Sequence, residues 1–134
     1  MEERKKSRIL VVDDEQSLLT VMEQYLRRLG HDVVACRDGQ EAWEAFERAP
    51  GSFQLVLADM TLPEMSGSEL LSKMLKVNPS ICILICSGYP FDASTLPASH
   101  QQQIGFLQKP FTPRMLAESI EQLEVIRDGD PAAS

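Results

Sequence analysis

The residues of this sequence that could do chemistry together are three acids, a hydroxyl and an amine: Asp13, Asp14, Asp59, Ser87 and Lys109. Three carboxylates in one place repel one another unless a cation or a proton offsets them. Their oxygens suit a hard divalent ion, and Mg²⁺ takes one or two carboxylates while keeping waters and phosphate oxygens. An ammonium can neutralise part of a phosphoryl group's charge, and a serine hydroxyl can donate to one of its oxygens. The set therefore suits attack of a carboxylate on phosphorus, giving an aspartyl phosphate. Each residue alone has a plainer reading. Asp13-Asp14 can cap a following helix, and Asp59 can be a turn residue before Thr61-Leu62-Pro63. Ser87-Gly88 can be an ordinary turn, and Lys109 an ordinary surface lysine. Their arrival together at one edge is what distinguishes them.

That arrival depends on the order of elements. Short apolar runs at residues 9–12, 33–36, 55–58, 81–86 and 104–107 read as strands, and helical patterns separate them. Leu18, Leu19, Met22, Leu26 and Leu29 recur at helical spacing until Gly30. Ala42, Trp43, Ala45 and Phe46 mark a helix over 40–48, and Leu70, Leu71, Met74, Leu75 and Val77 mark another, closed by Asn78-Pro79. Thr112-Pro113 offers an N-cap and a first-turn proline. Met115, Leu116, Ile120, Leu123 and Ile126 carry that last helix to about residue 128. Residues 94–103 are polar, include Pro97, and support at most a short or distorted helix.

This alternation predicts an α/β fold: a doubly wound, five-stranded parallel sheet with helices on both faces. Ligands of such sheets gather at the carboxyl ends of the strands. Asp13 and Asp14 follow the first strand, Asp59 the third and Ser87 the fourth, while Lys109 lies just beyond the fifth. One domain is expected over 8–128, with 1–7 as a leader or linker and 129–134 as a disordered tail.

Composition narrows the function classes. At 134 residues there is length for one domain, and 43% hydrophobic with 25% charged residues is ordinary for a globular chain. The net charge of −7 argues against direct nucleic-acid binding, which needs basic patches. No apolar run reaches the ~18 residues of a membrane span. The start lacks a signal-peptide core, so a cytoplasmic location without membrane contact is expected. Cys36, Cys82 and Cys86 have no metal-ligand spacing and read as buried, reduced thiols.

Four motifs carry a family resemblance. They are Ile9-Leu10-Val11-Val12-Asp13-Asp14-Glu15; Leu55-Val56-Leu57-Ala58-Asp59-Met60-Thr61-Leu62-Pro63 with Met65-Ser66-Gly67; Ser87-Gly88; and Phe106-Leu107-Gln108-Lys109-Pro110-Phe111. Together they resemble the receiver domain of response regulators in two-component signalling, a flavodoxin-like fold, over about residues 8–127. The resemblance implies that Asp59 accepts a phosphoryl group from a phosphohistidine, on a histidine kinase or a histidine phosphotransfer domain. It implies Mg²⁺ held by Asp14 directly, by Asp13 largely through water, by Asp59 and by the backbone carbonyl of Thr61. Ser87 and Lys109 would contact the phosphoryl oxygens, and Lys109-Pro110 is frequently a cis peptide in this family. Phe106 occupies the place of the family's switch aromatic, turning inward as Ser87 moves; the plainer alternative is a core-filling ring.

Two features depart from the family pattern or refine it. The Pro-interrupted 94–103 segment weakens the case for a homodimer through the family's common dimer face. Ser87-Gly88-Tyr89 is similar to receivers attached to hybrid sensor histidine kinases, so an excised receiver and a stand-alone one are both open readings. Tyr89, near the acyl phosphate, is expected to slow its hydrolysis. By itself the domain is expected to catalyse no turnover beyond its own phosphorylation and dephosphorylation.

Three rival functions remain. A receiver-like interaction domain would never be phosphorylated. An aspartate-nucleophile phosphatase of the haloacid dehalogenase type wants an acid two residues after the nucleophile, where this chain has Thr61. A flavin module needs backbone donors and hydroxyls for its phosphate, where this chain has Asp13-Asp14-Glu15.

Overall fold

The computed structural model describes residues 7–59, 67–88 and 103–127. The five apolar runs become strands: β1 (Arg8–Val12), β2 (Asp32–Cys36), β3 (Leu55–Asp59), β4 (Cys82–Ser87) and β5 (Ile104–Gln108). Each strand extends a residue past the apolar pattern at one end, because polar residues such as Arg8 and Asp32 still pair through their backbones. β4 starts later than the apolar run, because the Ile81 N–H is taken by the Asn78 carbonyl in the preceding turn. All pairings are parallel and the strand order is β2-β1-β3-β4-β5.

Four described helices cover the two faces: α1 (Gln16–Arg28), α2 (Gly39–Arg48), α3 (Gly67–Val77) and α4 (Pro113–Arg127). Strand side chains alternate between two apolar clusters. Leu10, Val12, Val56, Ala58, Ile83 and Ile85 pack with Ala42 and Phe46 of α2 and Leu70, Leu71 and Met74 of α3. Ile9, Val11, Leu55, Leu57, Cys82, Leu84 and Cys86 pack with Leu19, Met22 and Leu26 of α1 and Leu116, Ile120 and Leu123 of α4. Each fully buried Leu or Ile is worth roughly 1.5–3 kcal/mol, so these two layers dominate the fold's stabilisation.

Local signals set the helix ends. Gly30, at φ 99°, ends α1 in the left-handed region, with Gly30 N–H donating to the Arg27 carbonyl and His31 N–H to that of Leu26. Asp38 caps α2 by accepting the Glu41 N–H at 2.8 Å. Thr112 caps α4 by accepting the Met115 N–H at 3.1 Å, as its position before Pro113 predicts.

Ser7, the last residue of the expected leader, is buried: its N–H donates to His31 Nδ1 and its hydroxyl to Glu124. Residues 1–6, 94–102 and 129–134, on which the leader, distorted-helix and tail expectations fall, lie outside the described residues; Gln103 braces the Pro79 and Ile81 carbonyls. Among the described residues no helix is long and apolar enough to cross a membrane.

All three cysteines are free and buried. Burial above all pushes the Cys36 thiol, helped by Glu41 and Asp38, and the Cys86 thiol up to about 12. Both stay protonated well above neutrality, and protonated thiols are poor nucleophiles. In mildly alkaline buffer the native protein should resist alkylation, whereas the unfolded chain should take up one label per cysteine by intact mass. Rapid native labelling at Cys86 would contradict this packing.

Candidate functional site

The strand order decides where the acids meet. β1 and β3 are neighbours, yet the helix that follows β1 lies on one face of the sheet and α3 lies on the other. In parallel sheets of this kind, the carboxyl ends of two such strands flank the place where ligands gather. Asp13 immediately follows β1, and Asp59 is the last residue of β3. One carboxylate oxygen from each of Asp13, Asp14 and Asp59 lies within 4.8 Å of the other two. Asp13 and Asp59 are only 1% and 3% exposed, whereas Asp14 faces solvent.

Lys109 holds this cluster together. Its Nζ donates to Asp13 Oδ2 at 2.8 Å and to Asp59 Oδ2 at 3.0 Å. Its backbone N–H donates to the Ser87 carbonyl at 2.8 Å, which fixes the end of β5 against β4. Asp13 Oδ1 accepts the Glu15 N–H at 2.9 Å. Burial raises the Asp13 carboxyl above its usual range, against the opposing pull of Lys109 and the Glu15 N–H. Burial alone lowers the Lys109 pKa, but hydrogen bonds and charge from Asp13 and Asp59 together raise it above the ordinary lysine value. The lysine is therefore a full cation at neutral pH.

Ser87 ends β4, one residue beyond Cys86, the register partner of Asp59, and it is buried. Phe106 pairs with Ile85 two positions earlier, and its side chain is 41% exposed. The core-filling alternative for Phe106 is thereby corrected: at the sheet-edge strand its ring faces outward. The helix-cap alternative for Asp13-Asp14 is also corrected. The α1 N-cap residue is Glu15, with no side-chain cap, and Asp13 instead braces the turn before it. Lys109-Pro110 is a cis peptide. Thr61 and Tyr89 lie outside the described residues. Sequence reasoning placed Lys109 for phosphoryl oxygens alone and missed that it already bridges two acids; no local signal marks that contact.

With this geometry in hand, residues 9–121 match the response regulator receiver domain family. The chain belongs to that family. Phosphoacceptance in two-component signalling is the general role of its members, which interact with histidine kinases or phosphotransfer proteins. Among curated relatives, the sensor kinase CckA of Brucella abortus is 32% identical over 86% of this chain, which spans 12% of that kinase's length. A chemotaxis protein CheY homolog of Campylobacter jejuni is 30% identical, with 94% of this chain and 98% of that protein covered. Among solved structures, the receiver domain from the hybrid histidine kinase CckA superposes with a TM-score of 0.74 at 30% identity, covering 87% of this chain and 98% of that one.

Removing one partner of a buried ion pair is strongly destabilising, because the remaining charges stay buried without compensation. Without divalent ions at neutral pH, Lys109→Met should lower unfolding free energy by about 3 kcal/mol, the lower end of the range for broken buried pairs, since this site opens to water at Asp14. Urea unfolding checks this. A loss well under 1 kcal/mol would mean that the carboxylates do not need the ammonium.

Proposed function

We propose that this domain is a Mg²⁺-dependent phosphoacceptor in a phosphorelay and that Asp59 receives the phosphoryl group from a phosphohistidine. The observation that carries this reading is the buried Asp59 carboxylate, bound to Lys109 at 3.0 Å beside two further acids at a parallel-sheet edge. An Asp59 oxygen forms the P–O bond as the P–N bond to the donor imidazole breaks, and the bonding pair stays on the imidazole nitrogen. Lys109 follows the developing charge and pairs with a phosphoryl oxygen. Water later attacks phosphorus, releasing phosphate and restoring the carboxylate.

The donor set fits Mg²⁺. One oxygen from each acid lies within 4.8 Å of the others, so a small side-chain adjustment brings them within the distance of about 4.2 Å, twice the bond length, that separates opposite ligands of an octahedral Mg²⁺. Asp14, which is exposed, Asp13 and Asp59 would hold the ion, with the Thr61 carbonyl as a further ligand. When bound, Mg²⁺ offsets negative charge on the acids and on the incoming phosphoryl oxygens.

Ser87 then donates its hydroxyl to a phosphoryl oxygen, and the Phe106 ring turns inward, shifting an existing equilibrium. Its outward ring and the buried Ser87 are consistent with the resting member of that pair. The likeness to CckA and to a CheY homolog supports a histidine kinase or phosphotransfer domain as donor. A never-phosphorylated receiver is disfavoured because the acceptor, the acids and the lysine are all in place.

Incubation with Mg²⁺ and acetyl phosphate, read by intact mass, should add one phosphoryl group to the wild type and none to Asp59→Asn. No adduct on the wild type, or the same adduct on the variant, would refute the assignment. Sustained turnover of external phosphate esters would favour the phosphatase reading instead.

A further inference from the structure

Both oxygens of Asp13 already have partners: Oδ1 the Glu15 N–H at 2.9 Å, and Oδ2 the Lys109 ammonium at 2.8 Å. The same ammonium sits 3.0 Å from Asp59 Oδ2. Asp14 differs from both. It is exposed, and among the described residues it makes no hydrogen bond or ion pair. Lys109 thus lies where positive charge is most needed, with its side chain only 17% exposed and tied to carboxylates from two different strands. A divalent cation drawing on the same oxygens would stand within a few ångströms of this ammonium. Like charges at that range, poorly screened by water, repel strongly.

We infer that Lys109 is the site's internal counter-ion and competes with the divalent ion for Asp13 and Asp59, so that Asp14 is the ion's point of entry. The inference rests on the reading that these acids hold a divalent ion. Ion binding loosens the ammonium's hold on the acids and leaves it available to an incoming anion. Coupling of this kind is reciprocal: whatever factor the ion costs the lysine pairing, the lysine charge costs the ion. Lys109 therefore weakens ion binding in the resting protein, although it belongs to the same reaction as the ion. A purely structural lysine would do the reverse, because losing it would disorder the acids and weaken the ion.

The test is Mg²⁺ titration by calorimetry on the full chain, with circular dichroism confirming the fold of each variant. Lys109→Met, similar in length but neutral, should bind Mg²⁺ about tenfold or more tightly than wild type. Lys109→Arg keeps the charge and should stay within about threefold of wild type, whereas Asp14→Asn should lose most binding. Equal or weaker binding by Lys109→Met overturns the competition while leaving the metal site intact. Absence of Mg²⁺ binding to the wild type overturns the metal reading, and the inference with it. Because the neutral variant is expected to be less stable, thermal melting supplies a second measure. Mg²⁺ should raise the midpoint of Lys109→Met more than that of wild type, and an equal or smaller rise contradicts the inference.

Discussion

Asp13 and Asp59 are carboxylates at the ends of adjacent strands, almost wholly removed from water, and a single ammonium lies between them. Charges buried at this depth cost several kcal/mol each unless they are paired with good geometry. The rest of the architecture supplies that geometry. β4 separates β3 from β5, so Lys109 must reach across the end of β4 to meet Asp59. The bond from its backbone N–H to the Ser87 carbonyl fixes where the lysine stem begins. Parallel pairing from Ile9 of β1 through to Gln108 of β5 sets every carboxyl end at the same edge. A residue's slip in any strand would move one member of the set to the wrong face.

The arrangement is unfavourable in isolation, and that fits its use. Three acids outnumber one lysine, and Asp14 adds negative charge without a partner among the described residues. A site tuned only for stability would drop one of these acids. Functional sites commonly retain such costs because the reaction needs the charges. In the proposed reaction the surplus recruits a divalent ion, and Lys109 has an alternative anion to bind once phosphorus arrives.

Much of this was legible in the residues. Uniformly apolar runs such as Leu55 to Ala58 foretold a sheet covered on both faces, and Gly30, Asn78 and Thr112 marked where helices end or begin. The acids and the lysine were identifiable because strand ends can be read from where apolar runs stop. Other features depend on tertiary contact and leave no periodic trace. Examples are the Lys109 bridge, the Asp13 brace on the Glu15 N–H, the outward Phe106 ring, and Ser7 bonded to Glu124 117 positions away. The Phe106 exposure in particular depends on what packs against one face of β5, where its neighbour Leu107 is buried on the other, and composition alone does not reveal this.

The central claim is that phosphorus attaches to the side chain of Asp59, and chemical trapping addresses it most directly. An acyl phosphate is reduced by borohydride to a primary alcohol, which leaves a permanent mark on the residue that carried it. After phosphorylation with Mg²⁺ and acetyl phosphate, borohydride reduction and peptide mass spectrometry, the mark should fall on residue 59 alone. A mark on Asp13, Asp14 or another acid, or none on residue 59 of a phosphorylated protein, would contradict the account.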